Sequence, residues 1–282
     1  MIIIDYNQVA ISNLMEQIGS SKTPVEEGLV RHMILNTIRT YVKKYKNTHG
    51  PEVVIACDNR HYWRREIFPH YKASRKKTRD ASGHDWNSIF ECLGTIRTEL
   101  KEFSPYKVID VETCEADDII ATLVLKYSAT QKIMILSSDK DFAQLQKFPN
   151  VEQYSPILKK AIREPFPAAQ LKQLIIRGDK SDGIPNILSK DDVFVSGGRQ
   201  KPITEVKIIN WMNQDPKEFC NEEMLRNYSR NETLIDLTKI PTSLTETIID
   251  TYENAKGKPK REFLNYMIAN RLNNLISVID EF

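Results

Sequence analysis

Cysteine and histidine are scarce, and neither is arranged to hold zinc. The four cysteines, Cys57, Cys92, Cys114 and Cys220, stand far apart with no CxxC pair, and the five histidines form no HExxH or HxxxH pattern. A disulfide framework and a zinc site are both poorly supported, and a reducing interior fits best. Long apolar runs are missing too: the longest, Val53–Cys57, has five residues, where a spanning helix needs about 20. The opening Met-Ile-Ile-Ile-Asp has no basic flank and no extended apolar stretch, so no secretory signal is expected. These absences demote secreted, membrane and zinc-hydrolase classes and point to a cytoplasmic protein. What is present is an ordinary soluble balance, 40% hydrophobic and 28% charged over 282 residues, enough for one large domain or two modest ones.

The net charge of +2 conceals a strong asymmetry. Between residues 60 and 79 stand eight basic side chains (Arg60, Arg64, Arg65, Lys72, Arg75, Lys76, Lys77 and Arg79), opposed only by Glu66. The rest of the chain is therefore mildly acidic, and one segment carries the cations.

Strand and helix patterns alternate through the first half. Met1 to Ile4, Val53–Cys57, Lys107 to Val111 and Ile133–Leu136 read as buried strands, with Val151 to Tyr154 as a fifth. Helical stripes run over Leu29 to Tyr45, over Trp86, Ile89, Phe90, Leu93, Ile96, Leu100 and Phe103, and over Glu115 to Tyr127, the last capped by Thr113. A short helix is expected around Phe142 to Gln146. Apolar strands separated by helices predict a parallel α/β sheet covered on both faces. After Pro165 the pattern turns helical, with Ala168 to Arg177 closed by Gly178, a loop over residues 196–202 and a final helical region over Phe263 to Ile279. The expected division is residues 1–160 and 161–282, without internal repeats.

The acids fall in a telling place. Asp5 follows the first strand directly, Asp58 the second, and Asp139 and Asp141 the fourth after two serines. Strand carboxyl ends share one edge of a parallel sheet, where ligands bind. Glu115, Asp117 and Asp118 open a helix at the same rim, and Asp179 and Asp182 lie three apart just past a helix end. Nine carboxylates brought together repel unless several are protonated or hard cations neutralise them. Oxygen donors without His or Cys favour Mg²⁺, or Mn²⁺ in its place, over zinc. Two such ions about 3.5–4 Å apart suit in-line phosphodiester hydrolysis. Any one acid at a strand end is usually a cap or turn residue; corresponding positions on several elements are not so easily dismissed. Asp118 is the weakest member, since a cap or salt bridge would explain it.

The cationic segment complements the acids. It interleaves rings with charge, as in Tyr62-Trp63-Arg64-Arg65 and His70-Tyr71-Lys72, the combination that grips phosphates and stacks on unpaired bases. Starting just after Asp58, it would rise over the acidic rim. The plainer alternative is a solvated basic helix.

These elements, in this order, resemble the flap endonuclease (5′-nuclease) superfamily. The resemblance is carried by Cys57-Asp58-Asn59, Tyr71-Lys72-Ala73-Ser74-Arg75, Glu115-Ala116-Asp117-Asp118, Ser138-Asp139-Lys140-Asp141-Phe142 and Gly178-Asp179-Lys180-Ser181-Asp182. It is strongest toward the T-even phage ribonuclease H branch and covers nearly the whole chain. It implies a three-layer (PIN-like) nuclease domain with a basic arch at about residues 60–80 and a C-terminal helical domain. The implied activity is a magnesium-dependent 5′-to-3′ exonuclease and flap endonuclease removing RNA primers and adjacent DNA during lagging-strand synthesis. By position, Asp5, Asp58, Glu115, Asp117 and Asp139 resemble the ligands of a first metal, and Asp141, Asp179 and Asp182 those of a second. Lys72 and Arg75 resemble the residues that hold the scissile phosphate, and Tyr71 the ring that stacks near the cut. Implied partners are RNA–DNA hybrid, flap or forked DNA, single-strand-binding protein and sliding clamp, for a monomer in the host cytoplasm.

Two departures stand out. Ile184-Pro185 is followed by Asn186 rather than glycine, and the later loop reads Ser196-Gly197-Gly198-Arg199, so the family's monovalent-ion site is not expected. Arg199 and Lys201 are candidates for duplex phosphates, with an ordinary loop as the equally weighted alternative. A haloacid-dehalogenase-type phosphatase is a poor rival, because Asp5-Tyr6-Asn7 lacks its second aspartate. A smaller metal-dependent ribonuclease leaves the second half unexplained, and a silent structure-specific binder would need a missing acid.

Overall fold

A computed structural model describes residues 1–18 and 25–282. In chain order the elements are β1 (Ile2–Asp5), α1 (Tyr6–Ile18), α2 (Glu27–His49), β2 (Val53–Cys57), α3 (Trp63–Ile67), α4 (Ser74–Ser82) and α5 (Trp86–Phe103). There follow β3 (Lys107–Asp110), α6 (Ala116–Tyr127), β4 (Ile133–Leu136), β5 (Val151–Ser155), β6 (Lys160–Ile162) and α7 (Pro167–Arg177). The remainder is α8 (Glu205–Met212), α9 (Pro216–Phe219), α10 (Glu222–Ile235), α11 (Thr242–Asn254), α12 (Lys260–Ala269) and α13 (Asn273–Ile276).

The sheet order is β3-β2-β1-β4-β5-β6, parallel except for β6, which pairs antiparallel with β5. Alternation sends the side chains of β1 to two different cores. Ile2 and Ile4 pack with α1, α2, α5 and α12 on one face, whereas Ile3 packs with α6 and α11 on the other. The chain order reverses between β1 and β4, which opens a crevice at their carboxyl ends.

Several expectations need correction. Strand β6 carries the sheet past residue 160, and the helices after residue 235 return to it: Ile248 joins one core, Phe263 and Met267 the other. Residues 175–235 instead pack around a third cluster that includes Phe68 and Tyr71 of the basic segment. The C-terminal helices α11 and α12 thus pack on the two faces of the sheet. Thr113 is not the cap of α6; it sits at φ 63°, and Glu115 is the cap, in a reciprocal capping box with Asp118. Residues 140–147 form a 3₁₀ helix, and the final helical region is broken at residues 270–272 between α12 and α13. Leu29 and Phe90, assigned to buried stripes, are 43% exposed each. Helix α1 was unforeseen, because β1 runs into it with no intervening turn residue.

Candidate active site and nucleic-acid interface

At the crevice, a cavity of about 1330 Å³ is lined by Asp5, Asp58, Asp117, Asp139 and Asp179, and on another side by Tyr62, Lys72, Arg75 and Arg79. Five acids from five separate parts of the sequence therefore share one space with the cationic segment.

Each acid is held locally. Asp5 ends β1 and accepts from Ser137 Oγ at 2.8 Å and from the Gln8 amide at 3.2 Å. Asp58 accepts from Asn7 Nδ2 at 2.5 Å and from the Ala116 amide at 2.7 Å, at the amino end of α6. Asp139 accepts from the Asp141 amide at 3.0 Å, while its own carbonyl is fixed by Gln153 Nε2 at 2.6 Å. Asp179 accepts from the Ser181 amide and hydroxyl at 2.8 and 2.6 Å, and Lys140 Nζ lies 3.1 Å from its other oxygen. The turn beyond it depends on Gly178 at φ +68°, where any Cβ would strike the carbonyl of Ile184. Asn7, Gln8, Ser137, Gln153 and Lys140 were missed by the sequence reading. Asn7 and Gln8 stood beside Asp5, but without α1 there was no frame to orient them.

The electrostatics follow from burial and crowding. Burial, then the charges of Asp58 and Asp139, pushes Asp5 up to about 7. Asp117 and Asp141 are raised well above the ordinary range, by burial first and then by Asp139. Burial also raises Asp58 and Asp139. Asp179 is held low: the Ser181 hydrogen bonds and Lys140 outweigh its burial.

Glu115 and Asp118 sit deeper, at 1% and 0% exposure. Glu115 accepts from Arg64 Nη1 and from the Tyr71 hydroxyl, both at 2.9 Å, and from Lys72 Nζ. Lys72 and Arg64 outweigh burial and hold its carboxyl below the usual range. Asp118 accepts from Trp63 Nε1 at 3.1 Å and the Glu115 amide at 2.8 Å, and pairs with Arg64 at 2.8 Å. Asp118 therefore does not face the cavity as a metal ligand would: its oxygens serve the capping box and Arg64. Asp182 accepts from Arg75 Nη2 at 2.6 Å and from the Tyr71 hydroxyl at 3.1 Å, and Lys72 Nζ lies 3.6 Å away.

The cationic segment forms two short helices, α3 and α4, and its residues divide between surface and core. Arg60, Arg65, Arg75, Lys76 and Lys77 are exposed and Arg79 is half-buried. Trp63, Arg64, Tyr71 and Lys72 are buried, so Trp63 and Arg64 are corrected from nucleic-acid contacts to internal supports. Arg64 also donates to the Leu234 carbonyl at 2.9 Å, fastening α3 to the end of α10. The ring of Tyr71 is enclosed and faces no open surface. Lys72 occupies the left-handed region at φ 54°, unusual for a residue with a side chain, and its amide donates to the Asp182 carbonyl at 2.7 Å. Arg199 and Lys201 are exposed on a loop tied back by Asn186, whose amide group donates to the Lys201 carbonyl at 2.8 Å and whose backbone N–H donates to Gln200 Oε1 at 2.6 Å. The residue that departs from the family pattern is thus the one that fastens this loop.

Residues 2–173 match the family described as "5′-3′ exonuclease, N-terminal resolvase-like domain", and residues 167–282 that described as "T4 RNase H, C terminal". The chain is 34% identical to the ribonuclease H of Enterobacteria phage T4, over 99% of this chain and 95% of that protein. This protein belongs to the 5′-3′ exonuclease family. It is 25% identical to the flap endonuclease Xni of Vibrio cholerae, over 77% of this chain and 81% of that one. Its fold matches the bacteriophage T5 D15 flap endonuclease, solved as a pseudo-enzyme-product complex with DNA and metal ions. That match has a TM-score of 0.61 at 16% identity and covers 90% of this chain and 99% of that one. The chain is an enzyme of the 5′-nuclease type.

In this 5′-nuclease the donor set suits a hard divalent cation. Every candidate ligand is an oxygen, and Asp141 Oδ1 is buried with no hydrogen-bond partner. Burial first, and neighbouring acids second, raise the carboxyls of Asp5, Asp117 and Asp141, a condition that a bound cation would relieve. Among the described residues, no three of these groups close into a ready-made metal cage; Asp5, Asp58, Asp117, Asp139 and Asp179 line the cavity walls, and Glu115, Asp118, Asp141 and Asp182 do not. No helix among the described residues is long and apolar enough to cross a membrane.

Proposed function

We propose that this 5′-nuclease removes RNA primers and adjacent DNA from lagging-strand fragments during phage DNA replication, cutting in the 5′-to-3′ direction with two Mg²⁺ ions, for which Mn²⁺ can substitute. The observation that carries the reading is the single cavity lined by Asp5, Asp58, Asp117, Asp139 and Asp179 and walled by Lys72, Arg75 and Arg79. Such a space rejects a polyanion unless counter-charge is supplied, and it offers a phosphodiester cations on the opposite side.

Asp5, Asp58, Asp117 and Asp139, with Glu115 behind them, would hold one ion; Asp141, Asp179 and Asp182 would hold the other, partly through water. When bound, the ions would supply an activated water and charge for the leaving oxygen. Lys72 and Arg75 hold the scissile phosphate, and both are pre-positioned by Asp182, with Lys72 also held by Glu115. Lys76, Lys77 and Arg79, with Arg60, Arg65 and the Arg199–Lys201 loop, grip flanking phosphates. RNA–DNA hybrid and flap or forked DNA are the proposed substrates of a monomer acting in the host cytoplasm, with single-strand-binding protein and sliding clamp as partners. The relatives named ribonuclease H and flap endonuclease support this range.

The test is cleavage of a nicked duplex with a labelled 5′ RNA-primed strand, in Mg²⁺ and in EDTA, beside Asp139→Asn. Short 5′-derived products only in the wild-type Mg²⁺ lane are expected. Cleavage in EDTA, or by the variant at the wild-type rate, overturns the two-ion reading.

A further inference from the structure

The amino end of α5 carries an aromatic pair to which the proposed metal and phosphate contacts assign no role. Trp86 and Phe90 stand one helical turn apart and line the same cavity as Asp5 and Asp117. Their ring centroids are 5.6 Å apart and tilted by 36°, the geometry of a paired platform. Phe90 stays 43% exposed while its neighbour Ile89 is at 1%, so the helix leaves a large ring beside the cavity and forgoes its burial.

The platform is braced. Asp85 caps α5 through the Asn87 and Ser88 amides, both at 3.2 Å. The indole N–H of Trp86 donates to Ser82 Oγ at 2.8 Å, which ties the ring to the end of α4. Arg79, also on α4, lies 5.4 Å from the centre of the Phe90 ring and lines the cavity too. Beside the rings, Ile11 and Met15 of α1 add apolar lining.

Two aromatic rings, an adjacent guanidinium and an apolar wall meet the needs of a nucleobase joined to a phosphate. A simple anion would use Arg79 but not the rings. A paired base has its faces covered by neighbours, so the platform selects a base that has left the duplex. We propose that Trp86 and Phe90 form a stacking subsite for an unpaired nucleobase at the 5′ side of the strand to be cut, with Arg79 on its phosphate. The strand polarity rests on the 5′-nuclease reading; the stacking does not.

The experiment compares binding of two 5′-flap duplexes in Ca²⁺, one with a single unpaired adenine and one with an abasic unit in its place. Wild type should prefer the adenine flap by about tenfold. In Trp86→Leu and in Phe90→Leu that preference should fall toward one, and Phe90→Tyr should restore it. Circular dichroism melts confirm that the variants fold, and 2-aminopurine in place of the adenine should be quenched by wild type but much less by Trp86→Leu. A wild-type preference near one, or an undiminished preference in both leucine variants, overturns the subsite. If the preference behaves as expected but wild type cleaves neither flap in Mg²⁺, the subsite stands and the cleavage reading falls.

Discussion

Arg64 Nη1 lies 2.8 Å from Asp118 Oδ1, in a pair whose side chains are 2% and 0% exposed. Together with Trp63 and Glu115 the pair joins the first turn of α6 to α3, and through the Leu234 carbonyl to α10. It is the internal frame on which the exposed cations are mounted.

Removing one partner of a buried pair leaves the other uncompensated, a loss of about 3 kcal/mol or more. Asp118→Ala should therefore lower the urea midpoint of unfolding by that equivalent. In the cold, where the variant remains folded, cleavage should persist at a reduced rate. Normal stability with abolished cleavage would return Asp118 to the metal ligands.

Asp139→Asn should behave in the opposite way. Its carboxyl is already raised by burial and by its acidic neighbours Asp182 and Asp179, so removing the charge relieves repulsion. Stability should be unchanged or higher, substrate binding retained, and cleavage reduced by at least about 100-fold. Equal losses of binding and cleavage would point to misfolding rather than to lost chemistry.

The acids were legible because parallel strands announce themselves as apolar runs and their last residues mark one edge. Asp5 and Asp58 needed no more than that. The inward turn of Arg64 was not legible. It is adjacent to Arg65, and α3 has only five residues, too few to reveal a helical phase. Composition gives both side chains the same charge, and only packing against Leu234 and Glu115 separates them. Phe90 illustrates the reverse error: its spacing fits the buried stripe, yet the cavity in front of it leaves it open. Asn186 was visible as a departure, but its role depends on a loop 14 residues away.

Within the cationic segment, exposure predicts function. Lys76 and Lys77 are exposed on α4 and do not line the cavity. Lys76→Ala with Lys77→Ala should weaken all substrates alike and reduce the salt dependence of binding by roughly 0.7–0.9 in log–log slope per lost contact. Lys72→Ala should lower turnover more than affinity, because its ammonium sits among Glu115 and Asp182 at the reacting end. An unchanged slope in the double variant would place those lysines away from the substrate.

The crowded acids also set how stability depends on pH when no metal is bound. Asp5 titrates near 7 in the fold against an ordinary value of 3.8, so the native state holds its proton more tightly than the unfolded chain. That contribution is complete below about pH 4 and is lost as pH rises through about 7. Asp117 and Asp141, shifted the same way, extend the loss upward. Glu115 and Asp179 are shifted downward, so their effect falls below their ordinary values of 4.5 and 3.8, outside the neutral window. From Asp5 alone, stability in EDTA should drop by about 2 kcal/mol between about pH 5.5 and 8.5, a melting shift of roughly 4–8 °C. Millimolar Mg²⁺ should flatten the profile, since cations then stand in for the protons. A melting temperature in EDTA that stays level across that range would mean the acids lie too far apart, or too well solvated, to act as one cluster.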